Sequence, residues 1–406
     1  MRPLDETTTT QLRQQFEDLG RQGYRVLGIA WRRVATDHGH AVVTDESELV
    51  FAGWVAFLDP PKSTARQAIA AITAIGVTLK VVTGDNELVT QHLCAQLGLD
   101  VEGVLTGNEI ANLDDQALQA AAGRANLFCR VSPSQKNRII LALKRRGHVV
   151  GYLGDGINDA PSLHSADVGL SVDGAVDVAK DAASLILLEH DLDVLHDGIV
   201  EGRRTFGNIM KYIMMGTSSN FGNMFSMAGA ALILPFLPML PVQILLNNLL
   251  YDVSELAIPL DDVDPEDLQK PRHWNMAFVR NFMVTLGPLS SLFDFLTFFL
   301  LLQILHADEV LFHTGWFVES LATQVLVIFV IRTRRNPLRS RPTGLLVLSS
   351  LATVALAMIL PVVVGAHLGF STPPASFYLL LMLMVAIYLY SAELVKRWFY
   401  RRLAAS

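Results

Sequence analysis

The chain changes character near residue 200. Before it, short apolar runs alternate with amphipathic, charge-bearing stretches; after it, long apolar runs carry few polar residues. Leu12, Phe16 and Leu19 recur at helical spacing and predict a helix over 11–21. The runs 24–31 and 49–57 predict strands, 64–76 a helix, 77–82 a strand and 87–97 a helix. A further helix is predicted over 137–144, and Val149, Val150, Tyr152 and Leu153 form a run expected to be a buried strand. Strands alternating with helices predict a parallel, doubly wound sheet, whose ligands gather at the carboxyl ends of its strands.

Beyond residue 200 the apolar runs approach the ~20 residues needed to cross a bilayer. Six spans are predicted, at 210–233, 239–258, 278–303, 314–331, 343–364 and 376–394. Loops on one side carry Lys270, Arg272, Arg332, Arg334, Arg335, Arg339 and Arg341, and the tail adds Lys396, Arg397, Arg401 and Arg402. Loops on the other side, 234–238, 304–313 and 365–375, carry no lysine or arginine. This bias predicts a multi-pass protein of the cell (inner) membrane with both termini cytoplasmic. Trp316, Tyr378, Trp398 and Tyr400 fall near span ends, where an aromatic belt is expected.

Composition narrows the picture. Hydrophobic residues make up 51% of the 406 positions, too many for an ordinary soluble enzyme, and the net charge of −7 disfavours nucleic acid as a partner. Two cysteines, Cys94 and Cys129, are expected to be buried thiols of a reducing compartment. The start, Met1 to Thr10, lacks a basic-then-apolar stretch, so no signal peptide is expected ahead of the folded part.

Four motifs carry candidate chemistry: Asp59-Pro60-Pro61-Lys62, Val82-Thr83-Gly84-Asp85-Asn86, Val131-Ser132-Pro133-Ser134-Gln135-Lys136, and the octapeptide from Gly154 to Pro161. Asp155 and Asp159, four residues apart in a glycine-loosened turn after a strand, suit an oxygen-ligated Mg²⁺ beside a phosphoryl group. Thr83 and the Gly84 amide can donate hydrogen bonds to phosphoryl oxygens. Lys136 can neutralise developing negative charge, and Asn158 supplies a neutral donor and acceptor. Within the apolar half, Thr217, Asn220 and Asn223 share one helix side, as do Asn248, Asp252 and Glu255. Asp294 lies deep in an apolar run. An ionised carboxylate there costs at least ~2.5–3.5 kcal/mol, so it should face a partner, an ion or water.

As an ordered set these motifs resemble the cation-transporting P-type ATPases. The resemblance extends through Val168-Gly169-Leu170-Ser171 and Gly202-Arg203 to Asn208. It implies an α/β haloacid-dehalogenase-like phosphorylation domain with an incomplete parallel sheet, plus an all-α bundle of six transmembrane helices. The implied domains are 1–56, the end of a nucleotide-binding domain; 57–200, the phosphorylation domain; and 201–406, the transmembrane domain. Thr83, Gly84, Asp85, Lys136 and Asn158 match catalytic positions, and Asp155 and Asp159 match those holding the catalytic Mg²⁺. Arg25 resembles an arginine that reaches ATP, so Thr83, Gly84, Asp85, Lys136 and Arg25 are the implied ATP- and phosphoryl-binding set. Asn220, Asn223, Asn248 and Asp252 match positions lining the transported-cation site, although calcium pumps carry an acid where Asn223 stands.

The segments Asn247-Asn248-Leu249-Leu250-Tyr251-Asp252, Ile258 to Asp264, Lys270-Pro271-Arg272, Trp274-Asn275 and Gly287 to Asp294 look like those of bacterial magnesium-transporting members. The resemblance therefore implies ATP-driven Mg²⁺ import, with ATP, the transported Mg²⁺ and the lipid bilayer as partners. The alternatives are a pump for Ca²⁺, H⁺ or a monovalent ion, or a non-catalytic subunit complementing a separately encoded amino-terminal half. The 406 residues contain neither the family's Asp-Lys-Thr-Gly-Thr nucleophile segment nor its Thr-Gly-Glu motif. The chain is thus expected to correspond to the carboxyl-terminal portion of a pump, with the amino-terminal part as a partner. Without the nucleophile, covalent catalysis cannot proceed. The purified chain is therefore expected to take up no acid-stable ³²P from labelled ATP, a measurement that incorporation above background would decide against.

Overall fold

The computed structural model describes residues 4–34, 39–40, 42–189, 191–269, 271 and 273–405. Met1 to Pro3, Lys270 and Arg272, used in the expectations above, lie outside the described residues. The chain divides into two compact units, Met1–Gly198 and Ile199–Ser406.

In the first unit, β1 (Arg25–Trp31) and β2 (Val50–Phe57) form a two-stranded antiparallel sheet, preceded by α1 (Glu6–Arg21). Then come α2 (Ala65–Ala74), β3 (Val81–Val82), α3 (Glu87–Leu97), β4 (Val104–Thr106), α4 (Gly107–Asn112), α5 (Asp115–Arg124), β5 (Leu127–Cys129) and α6 (Pro133–Arg145). The unit continues with β6 (Gly151–Leu153), α7 (Ala160–Ser165), β7 (Val168–Val172), α8 (Asp177–Ala182) and β8 (Leu185–Leu187). The parallel strands form two three-stranded sheets, ordered β3-β5-β4 and β6-β7-β8. Both β3 and β6 are edge strands.

This arrangement explains where pattern and structure differ. The run 77–82 was expected to be a six-residue strand, but only Val81–Val82 pairs, because β3 has a neighbour on one side alone. β5 is central and all three of its residues are buried, with Phe128 facing Ile110, Leu118, Ile139 and Leu143 and with Leu127 and Cys129 packed with Cys94. A three-residue strand gives no periodicity to read. Helix ends follow local chemistry: Asn86 accepts from the Val89 amide at 3.0 Å to open α3, and Gly98 closes it at φ 71°. Ser132 and Gln135 form a reciprocal cap on α6, with Pro133 in its first turn. Cys94 and Cys129 are free and buried, and burial pushes the Cys129 thiol up to about 11.

The second unit is helical: α9 (Asp193–Ile233), α10 (Pro241–Glu255), α11 (Pro265–Gln269), α12 (Met276–Phe299), α13 (Glu309–Leu326), α14 (Ile328–Ile331), α15 (Gly344–Leu368) and α16 (Ala375–Ala405). Four helical stretches among the described residues are long and apolar enough to cross a membrane: Met276–Ile304, Glu309–Ile331, Gly344–Val363 and Ala375–Arg402. The expected spans at 210–233 and 239–258 are not among them. α10 has 15 residues, about 22 Å of helix, and α9 is interrupted by Ser, Asn, Thr and Gly. The Glu309–Ile331 stretch is the most enclosed, 89% buried within the protein. Trp316 corrects the aromatic-belt expectation: it is 1% exposed and donates its indole N–H to Asp294 at 2.9 Å.

Several buried charges in this unit are paired. Asp261, 1% exposed, accepts from Lys211 Nζ at 2.6 Å, from Arg332 Nε at 2.8 Å and Nη2 at 3.1 Å, and from the Thr343 amide at 3.1 Å. Asn208 adds bonds to the Pro259 and Asp261 carbonyls at 2.9 Å. One carboxylate thus ties α9 to the ends of α14 and α15. Burial would raise its carboxyl, but the Arg332 and Lys211 bonds outweigh this and hold it below the usual range.

A group so lowered contributes stability above the unfolded-state value of about 4, and that contribution fades as pH falls through the folded value. Asp261→Asn leaves Lys211 and Arg332 buried without their counter-charge and is expected to cost about 3–5 kcal/mol at pH 7. Unfolding of the detergent-solubilised chain, followed by circular dichroism, measures this, and the gap to wild type should narrow on acidification.

Candidate functional site

In the first unit the candidate residues collect at the carboxyl ends of β3, β5 and β6. The turn after β3 is zipped to the turn after β5: the Val131 amide donates to the Thr83 carbonyl at 3.1 Å and the Arg130 amide to the Asp85 carbonyl at 2.9 Å. Thr83 Oγ1 and Asp85 are mutually bonded, with Asp85 N donating to Oγ1 at 3.1 Å and Oγ1 donating to Oδ2 at 3.2 Å. Arg25, on β1, donates to the same Asp85 Oδ2 at 2.6 Å. Sequence placed Arg25 in the nucleotide-binding set; the structure brings it to the Thr83-Gly84-Asp85 turn. Asp85 does not cap α3, because Asn86 does.

Lys136 lies one turn into α6. Its Nζ donates to Asp159 Oδ1 at 2.8 Å, with both side chains mostly buried, at 16% and 12% exposure. Tyr152 Oη donates to the same oxygen at 2.7 Å, and the Gly156 amide reaches Oδ2 at 3.3 Å. Burial would push the Asp159 carboxyl up, but the Lys136 and Tyr152 hydrogen bonds and the Lys136 charge hold it lower than usual. Burial, with Asp159 beside it, raises the Tyr152 phenol, which stays protonated as a donor. Gly154 permits this geometry: a Cβ there would lie 2.6 Å from Asp159 Cβ. Tyr152 was read as an apolar strand residue, since nothing in its spacing marks a phenol that reaches a carboxylate.

Asp155 and Asn158 are exposed, and neither makes a side-chain hydrogen bond among the described residues. Asp155 and Asp159 offer the hard oxygen donors that Mg²⁺ takes, and Mg²⁺ commonly needs only one or two carboxylates because it keeps several waters. Among the described residues no cluster of three or more His, Cys, Asp or Glu is placed to hold a metal. The donor set fits the ion in kind, with Asp155 open and Asp159 already counter-charged by Lys136.

In the second unit the candidates separate. Asn220, Asn248 and Asp252 are exposed and Asn223 is half-buried, whereas α10 buries the opposite face, with Gln243, Asn247, Leu250, Tyr251, Ser254 and Glu255. Asn223 Oδ1 accepts from Gln324 Nε2 at 3.0 Å; Gln324 also donates to Ser320, and Asn247 donates to Ser320 Oγ at 3.4 Å. α13 therefore links amides of α9 and α10. Sequence reading passed over Ser320, Gln324 and Glu319, although polar and ionisable residues inside the apolar run 314–331 were the available signal. Asp294 is 2% exposed and accepts from Ser226 Oγ at 2.6 Å and Trp316 Nε1 at 2.9 Å.

Known proteins share both halves of this arrangement. Residues 11–167 match the haloacid dehalogenase-like hydrolases, and residues 236–398 match the family described as "Cation transporting ATPase, C-terminus". "Magnesium-transporting ATPase, P-type 1" of Salmonella typhimurium (strain 14028s / SGSC 2262) is 47% identical over 406 residues, covering 98% of this chain and 45% of that protein. Its Escherichia coli (strain K12) namesake is 46% identical over the same shares. "Calcium-transporting ATPase 1" of Bacillus cereus (strain ATCC 10987 / NRS 248) is 32% identical over 275 residues, 66% of this chain and 31% of its own. The chain thus spans less than half the length of these relatives.

Removing the Lys136 charge tests the site's electrostatics. In Lys136→Met, Asp159 stays buried without its cation, so its carboxyl is expected to rise above the usual value rather than fall below it. The variant is expected to be destabilised by ~3 kcal/mol at pH 7, and less near pH 4, where a protonated Asp159 needs no counter-charge. Thermal unfolding across that pH range reads both the cost and its sign.

Proposed function

This chain belongs with the cation-transporting P-type ATPases, matching the carboxyl-terminal part of their magnesium-transporting members, and on that premise we propose that it serves ATP-driven Mg²⁺ import. The observation that carries the reading is the convergence of Lys136 on Asp159, 2.8 Å apart, beside the Thr83-Gly84-Asp85 turn. An acidic pair with a lysine and backbone donors at strand ends suits a phosphoryl group and its metal.

The roles follow from chemistry. Thr83 Oγ1 and the Gly84 amide bind and orient phosphoryl oxygens. Lys136, a compact cation held in place by Asp159, neutralises charge on the transferring group. Asp155 and Asp159 hold Mg²⁺, which supplies Lewis-acid polarisation when bound. Asn158, exposed on the same turn, offers the phosphoryl group a neutral donor and acceptor, and Asp85 keeps Thr83 and Arg25 aligned. Arg25, held at that turn, takes the nucleotide. The aspartyl nucleophile belongs to the part of the relatives that this chain does not match, so turnover requires that part as a partner.

Six spans, with α9 and α10 as the first two, place both termini in the cytoplasm of the inner-membrane pump. Asn220, Asn223, Asn248 and Asp252 line the cation path, with Asn220, Asn248 and Asp252 on exposed helix faces left open to the rest of the pump. Amides with few carboxylates suit an ion that keeps part of its water shell, as Mg²⁺ does. In a pump containing the complementary part, Asp252→Asn is expected to reduce Mg²⁺ uptake at least tenfold while the phosphoenzyme still forms from ATP. Unchanged ATP-driven Mg²⁺ release from preloaded inverted vesicles, whose outer face is the cytoplasmic one, removes Asp252 from the path.

A further inference from the structure

Two buried carboxyl groups of the second unit meet at the α12–α13 seam without a cation, and the transport reading does not use them. Asp294 of α12 and Glu319 of α13 are 2% and 0% exposed, and Trp316, one turn before Glu319 on α13, donates to Asp294 at 2.9 Å, which brings both side chains to the α12–α13 seam. Their hydrogen bonding is unequal. Asp294 receives Ser226 Oγ at 2.6 Å on Oδ2 and Trp316 Nε1 at 2.9 Å on Oδ1. Among the described residues Glu319 has no hydrogen-bond partner on either carboxyl oxygen, because the neighbouring Thr297 and Thr323 hydroxyls donate to the Phe293 and Glu319 carbonyls at 2.9 and 3.0 Å. Among the described residues neither forms an ion pair with a lysine, arginine or histidine. Tyr388 of α16 is the other titratable group facing them, and Ser290, Thr297 and Thr323 nearby are uncharged.

Two adjacent carboxylates cannot both stay ionised in so enclosed a place, because each lacks a counter-ion and repels the other. Either a cation or a proton must join them. A divalent ion fits poorly. The N–H of Trp316 and the O–H of Ser226 already occupy Asp294, and donors pointing at an oxygen repel a metal. Mg²⁺ also needs six oxygen ligands in near-octahedral array, and no third acid completes a metal cluster here among the described residues. A proton fits both halves of the asymmetry. The better-solvated Asp294 carries the charge, and Glu319, with no donor of its own, becomes one.

We propose that Asp294 and Glu319 form a buried proton-binding site, in which Glu319 is the carboxylic acid and donates its O–H to ionised Asp294. One proton thus satisfies the unpartnered Glu319, removes one of two like charges, and gives Asp294 a third donor. Its release leaves two facing carboxylates, which must then be separated by water or a cation. The site is therefore a point where proton occupancy and opening of the α12–α13 seam are linked.

The test needs neither ATP nor a transported ion. Unfolding equilibria of the whole chain in mixed micelles are measured between pH 6 and 8 for wild type and Glu319→Gln, which keeps the donor but cannot ionise. The unfolded Glu319 is fully ionised throughout this range, whereas the folded group holds its proton, so wild type releases a proton on unfolding. Its unfolding constant should rise about tenfold more per pH unit than that of the variant. Equal pH slopes overturn the proposal. Infrared spectra in H₂O and D₂O give the second reading: Glu319→Gln should remove a carboxylic-acid C=O band and Asp294→Asn a carboxylate band. If Glu319→Gln does not fold, Asp294→Asn decides. Loss of a carboxylate band with the acid band displaced supports the assignment, and loss of the acid band overturns it.

Discussion

The ion pair between Lys136 and Asp159 is the contact on which the first unit turns. Lys136 stands on the helix after β5, and Asp159 stands in the turn after β6, so the pair joins one three-stranded sheet to the other. Neither charge could be buried alone at acceptable cost. The supporting details serve the same pair: the reciprocal cap that starts α6 sets Lys136 in register, Tyr152 and Gly156 fill the remaining valences of Asp159, and Gly154 leaves room for its side chain. What a phosphoryl group would meet is thus held by the same bonds that hold the fold.

The helical unit obeys the same rule with different partners. Asp261 gathers Lys211, Arg332 and the Thr343 amide, Lys396 donates to three carbonyls at 3.0–3.1 Å, and Asp264 accepts from Thr333 and Ser340. Charges at this level of burial define where helices end and where loops return. Asp294 and Glu319 form a buried pair without a cation, and that lack is what makes a proton the natural third member. Asn220, Asn248 and Asp252 differ again: they stay exposed on helices whose other faces are packed.

Much of this was open to reading in advance. Strand-end motifs with Thr83, Lys136, Asp155 and Asp159 pointed to one site, and the structure joins Lys136 to Asp159 and places Thr83 in the turn after β3. The helices α1, α2 and α3 were located to within a few residues, whereas α6 begins four residues before its expected start and α5 was not seen. The three-residue strands β4, β5, β7's neighbour β8 and the short α4, α7 and α8 were not seen, since so few residues carry no periodicity. Trp316 and Tyr152 were misassigned for a related reason: an aromatic ring with one polar atom fits an interface or a core equally well until its partner is known.

The order of polar motifs and the apolar runs, set by residue type and spacing alone, determined where the candidate site residues fall along the chain and the presence of membrane-length helices. Which oxygen faces which donor depended on residues far apart in sequence, such as 136 with 159, 25 with 85, 211 with 261 and 294 with 319. That pairing is set when burial removes water and forces each charge to find a partner. Only the folded chain brings the partners within reach.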